Sequence, residues 1–145
     1  MNDDLNYSQI PKKYALCINA QCPKSATCLR YIAVQYMPPT EKLWSILSPI
    51  YINSLQNDCP YYSRNRKVRF ARGLLGILKK LNIEQLSIFS NQIIETSSRR
   101  TYYRIRCGER PISPEEQQSL LNVLRQCGVT ETLEFDSYYE DYQWK

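Results

Sequence analysis

The stretch SSRRTYYRIRCGERPISPEEQQ, residues 97–118, holds five arginines and two adjacent tyrosines. A solvated helix face usually mixes its charges, yet every charge here is positive until Glu109, and the tyrosines are interleaved with the arginines. Ser98 is a natural helix cap, and Gly108 can take the left-handed conformation that closes a helix, so residues 98–107 read as one short helix. Ser113-Pro114-Glu115-Glu116 starts the next, 114–127: a cap, proline at the first helical position, and acids at the positive end of the dipole. On the first of these helices Thr101, Tyr102 and Ile105 share one side and are expected to be buried anchors. Arg99, Tyr103 and Arg106 recur on the other side at i, i+4 and i+7, flanked by Arg100 and Arg104.

Reading outward, Asn82 followed by Gln85 fits a capping arrangement for a helix over 84–95 with Leu86, Phe89, Ile93 and Ile94 as its buried stripe. Before it, residues 65–81 read as a basic amphipathic helix, with Val68, Ala71, Leu75 and Ile77 or Leu78 inward and Arg66, Lys67, Arg69, Arg72, Lys79 and Lys80 largely elsewhere. The last helix points Leu120, Leu121, Leu124 and Cys127 inward and stops at Gly128. VTETLEF, 129–135, is the candidate for one short strand. In the N-terminal part, Ser25 caps a short helix that Pro38-Pro39 breaks. Thr40 caps a second helix carrying Leu43, Trp44 and Leu47, which Pro49 kinks or ends. The expected fold is therefore mostly α: a cysteine-rich helical half (1–63), a helix-turn-helix-like helical bundle (64–130) and an acidic aromatic tail (131–145).

The order 84–95, tight turn, 98–107, Gly108 resembles phage-repressor-like helix-turn-helix proteins, whose second helix runs S-x-x-T-hydrophobic-x-R-x-x-x-G; here Ser98 to Gly108 read S-R-R-T-Y-Y-R-I-R-C-G. The resemblance implies a recognition helix with Arg99, Arg100 and Tyr103 nearest base edges and Arg104 and Arg106 on phosphates. The whole chain, on CPYYSRNRKVRFARG and RRTYYRIRCGERPISPEEQ, is similar to a family of small uncharacterised proteins from gut Bacteroidetes, a resemblance that names no activity.

Charge agrees with a polyanion partner. The chain carries +5 overall, but residues 64–110 hold twelve Lys/Arg against three Asp/Glu, whereas 111–145 hold two against seven. Double-stranded DNA is the leading expectation, with a regulatory role, and RNA the next. The competing explanation is internal pairing, in which the acidic tail covers the basic helices; removing residues 136–145 would then strengthen polyanion binding.

Six cysteines bear on a cofactor. Cys17, Cys22 and Cys28 fall within twelve residues and Cys59 lies on a turn-like NDCPYY loop, able to fold back on them. Four thiolates on one small segment suit a structural zinc ion; the x4 and x5 spacings and the two Cys-Pro pairs also suit an iron–sulfur cluster, and buried free thiols are the plain alternative. Cys107 and Cys127 are expected to stand apart. Without histidine there is no imidazole base, and no glycine-rich phosphate loop occurs, so no enzyme is expected. The alternative function is a cytosolic iron–sulfur or thiol redox protein docking an acidic protein partner. The polar start and the lack of a long apolar run point to the cytoplasm rather than a membrane.

Overall fold

The structure, a computed structural model, describes residues 5–56 and 58–144. The chain forms two compact units, one of Met1–Arg66 with Tyr142–Lys145 and one of Lys67–Asp141.

The first unit is rich in loops. Leu16 pairs in parallel with Ile46, and its carbonyl accepts from the Leu47 N–H at 2.8 Å. Helix α1 (Leu29–Ile32) is a single turn flanked by 3₁₀ turns at Ser25–Thr27 and Ala33–Tyr36, since Pro38-Pro39 leave no room to extend it. The expected helix from Thr40 does not form: residues 41–45 are irregular and Leu43 is 86% exposed. Pro49 instead begins α2 (Pro49–Ser54), with Ser48 as its cap. The physical reason is positional, because proline at the first helical residue gives up an N–H that would have no helical partner anyway. Leu5, Tyr14, Leu16, Leu29, Ile32, Ala33 and Tyr142 make the core, with Trp144 packed edge-on to Tyr14.

In the second unit the expected basic helix over 65–81 is overturned. Residues Lys67–Arg72 are strand β1, paired antiparallel with β2 (Ser137–Tyr142) from the acidic tail. The segment KVRFAR alternates charged and apolar side chains up to Ala71, so it satisfies period 2 as well as a helical period. Val68 and Phe70 suit a strand, and a partner strand some 65 residues away decides the matter. Gly73, at φ 86°, turns the chain into α3 (Leu75–Lys79). There follow α4 (Ile83–Thr96), α5 (Arg99–Arg106) and α6 (Pro114–Gln126). VTETLEF is not a strand, although Leu133 and Phe135 enter the core with Leu74, Ile77, Phe89, Ile93, Tyr102, Ile105, Ile112 and Leu124. The fold is thus mixed α and β, not the mostly helical bundle expected, because the tail supplies a strand.

Candidate nucleic-acid interface and cysteine cleft

Helix α5 is set by its ends. Ser97 and Ser98 link it to α4; the Ser98 hydroxyl oxygen accepts from the Thr101 N–H at 3.0 Å and donates to Thr101 Oγ1 at 2.9 Å. Tyr102 and Ile105 are buried, as their spacing predicts, and burial raises the Tyr102 phenol above its ordinary pKa. Thr101 is only half-buried; its place is in the cap rather than the core. At the other end, Arg72 donates to the carbonyls of Gly108 and Glu109 at 2.8 and 3.1 Å, and the Leu74 N–H donates to the Arg106 carbonyl at 3.1 Å. The Leu74 bond satisfies a carbonyl that the last turn of the helix leaves open, and the Arg72 bonds take two carbonyls of the turn just beyond it.

Opposite the anchors, Arg99, Arg100 and Tyr103 are exposed, and the half-buried Arg106 holds its guanidinium 5.8 Å from the Tyr103 ring centre. Among the described residues, Arg99, Arg100 and Arg106 have no acidic partner. Arg104 differs: its Nε lies 3.2 Å from Glu109 Oε1 in a largely exposed ion pair. The first turn of α5 contains no acid, so two arginines sit at the positive end of the helix dipole, where a cation is disfavoured by about 0.3–1 kcal/mol.

The other basic segment is committed elsewhere. The Arg69 guanidinium lies 3.7 Å from the Tyr138 ring centre, and Arg72 lies 5.1 Å from that of Tyr139, which also stacks on Phe70 at 5.4 Å. Two of the cations assigned to a polyanion-seeking helix thus hold the tail strand in place.

The cysteines tell a second story. Cys17, Cys22, Cys28 and Cys59 all line one cleft of about 230 Å³ within the first unit, together with Arg30, Tyr31, Tyr61 and Tyr62. Cys59 returns because residues 63–65 run along 27–29: the Leu29 N–H donates to the Ser63 carbonyl at 2.7 Å and the Asn65 N–H to the Thr27 carbonyl at 3.0 Å. Burial pushes the Cys17 thiol up, and negative charge on Cys28, Cys22 or Cys59 would push it further the same way. Among the described residues, however, no three Cys, Asp or Glu side chains stand in a metal-holding arrangement. Cys107, which is exposed, and Cys127 belong to the other unit.

Arg30 was missed by sequence reasoning. It is buried, donating from Nη1 to the Ala15 carbonyl at 2.6 Å and from Nε to the Tyr61 carbonyl at 2.8 Å, with its guanidinium 4.2 Å from the Tyr14 ring centre. The one available signal was a lone cation inside the apolar run LRYIA.

The model of a family of unknown function, DUF6078, matches residues 1–144. The chain belongs to DUF6078. No curated protein and no solved structure matches this DUF6078 chain. Among its described residues no helix is long and apolar enough to cross a membrane.

Proposed function

We propose that this DUF6078 protein binds nucleic acid through α5, with double-stranded DNA as the preferred partner and a regulatory role. The observation that carries the reading is the pairing of a buried Tyr102/Ile105 side with an outward Arg99, Arg100, Tyr103 and Arg106 side on which, among the described residues, no acid is paired. A helix is about 10–12 Å across with its side chains and the major groove about 12 Å wide, so a short arginine-rich helix can enter it. Arginine is the residue for the task, because its planar fork pairs with a guanine edge or a phosphate, while tyrosine adds a hydroxyl and a flat face. The link between α4 and α5, Ser97 and Ser98, is shorter than the three- to four-residue turn of a helix-turn-helix reader, so the likeness rests on α5 alone.

In this reading Arg99, Arg100 and Tyr103 meet base edges, because the N-terminal end of such a helix is the part that enters the groove, and Arg106 meets a phosphate. Arg104 joins them by exchanging Glu109 for phosphate. The exchange is easy, since an exposed ion pair is worth about 0–1 kcal/mol. Selection from a random duplex pool with the full chain tests the reading. An enriched sequence whose affinity drops in Arg99→Ala and Arg100→Ala supports it; equal binding to every duplex, or preference for RNA, replaces the sequence-reading role with general polyanion binding.

A further inference from the structure

The four-thiol cleft goes beyond nucleic-acid binding. Three of its cysteine-bearing segments are tied by a single side chain. Arg30 donates to the Ala15 carbonyl, two residues before Cys17, and to the Tyr61 carbonyl, two residues after Cys59, while its own backbone carbonyl accepts from the Cys17 N–H at 3.1 Å. Cys28 sits two residues before Arg30 on the same turn. Cys22 is held alongside by its own turn, with its N–H on the Asn19 carbonyl at 3.3 Å and its carbonyl accepting from Ser25 at 3.0 Å. A buried arginine is costly unless its donors find partners, and here the two loops that carry Cys17 and Cys59 each accept from it.

We propose that Cys17, Cys22, Cys28 and Cys59 take one thiophilic divalent cation, zinc, as a tetrathiolate, with Arg30 as the positioning residue that gathers the loops. Sulfur-only donors select soft or borderline cations over magnesium or calcium. The four cysteines line one cleft, and Cys17, Cys22 and Cys59 lie outside regular helices and strands. Among the described residues no three of these side chains yet stand at metal-holding spacing, so binding requires the loops to close until the sulfurs reach the geometry a tetrahedral ion demands, as folding is coupled to metal binding in small metal-tied units. On binding, each thiol forms one sulfur–zinc bond and releases its proton to solvent, with no change of oxidation state.

Cobalt(II) serves as a spectroscopic stand-in for zinc. The full chain, freed of metal by a chelator and kept reduced, is titrated with cobalt alone and then with zinc alone. Thiolate-to-cobalt charge transfer and intense tetrahedral d–d bands that saturate at one equivalent and vanish on adding zinc are expected. Cys22→Ser and Cys59→Ser, both outside the packed core, should lower the charge-transfer intensity, whereas Cys107→Ser and Cys127→Ser should leave it unchanged. Arg30→Gln should weaken cobalt binding by about tenfold or more while the saturated spectrum stays that of a sulfur-bound tetrahedral ion. Absence of the charge-transfer band, or its full survival in Cys59→Ser, overturns the site. Unchanged affinity in Arg30→Gln overturns the positioning role. These readouts are independent of nucleic acid, so failure of one proposal leaves the other standing.

Discussion

Gly73 and Asp136 show how much one residue pair settles. Gly73 stands at φ 86°, and a Cβ there would collide with the Asp136 carboxylate, whose two oxygens accept from the Leu75 and Gly76 N–H groups at 3.0 and 2.8 Å. Asp136 thus caps α3 from some sixty residues away in sequence. Gly73→Ala should destabilise the protein by about 2–4 kcal/mol, the left-handed penalty adding to the lost cap. Asp136→Ala should cost about 1 kcal/mol. Urea midpoints at constant slope check both, and a Gly73→Ala midpoint equal to wild type would show that the turn is not held as described. Local caps were legible in the sequence: Asn82 with Gln85, Ser98, Ser113 with Pro114, and Gly108 all act as expected. Asp136 was not, because its partners are distant, and nothing local marks an acid as a cap for someone else's helix.

At the scale of elements, α5 was legible and β1 was not, for one physical reason. The α5 pattern contains its own start, stop and anchors within eleven residues, whereas KVRFAR fits two periods and its conformation is decided by β2. Pro49, read in the sequence as a kink or an end, instead begins α2, since a proline suits a first helical residue as well as a stop. Two predictions belong here. Tyr102→Ala or Ile105→Ala should lower stability by about 2–5 kcal/mol, since both side chains are buried in the core of the second unit, and calorimetry or urea unfolding measures it. Arg106→Ala should leave stability nearly untouched. It should reduce the slope of log affinity against log salt by about one unit while weakening all duplexes alike.

For the molecule as a whole, the acidic tail is structural. Asp136 caps α3, Tyr138 and Tyr139 take Arg69 and Arg72, and in the other unit Tyr142 enters the core and Trp144 packs against it. The expectation that the tail drapes over basic helices and competes with nucleic acid is replaced by this account. Deleting residues 136–145 should therefore unfold or strongly destabilise the protein, seen as loss of the cooperative thermal transition, instead of tightening polyanion binding. A truncated chain that folds normally and binds DNA more tightly would restore the shielding account. The charge asymmetry of the sequence was real, but composition does not say which cations are spent inside the fold. Arg30, Arg69 and Arg72 are, and Arg99, Arg100 and Arg106 are the ones left facing outward on α5. Likewise the gathering of four cysteines at one cleft followed from their clustering in sequence, while the arginine beneath it did not.

The central claim is that those remaining arginines meet a nucleic-acid duplex. Fluorescence anisotropy of labelled random duplex DNA at about 50 mM salt, where non-specific attraction is strong, tests it most directly. The account predicts saturable binding by the wild-type chain that weakens linearly on a log–log plot as salt rises. A folded Arg99→Ala/Arg100→Ala/Arg106→Ala variant should lose about one unit of the salt slope, through the Arg106 phosphate contact, and most of the affinity. No binding by the wild-type chain at that salt, or wild-type affinity in the triple variant, would contradict it.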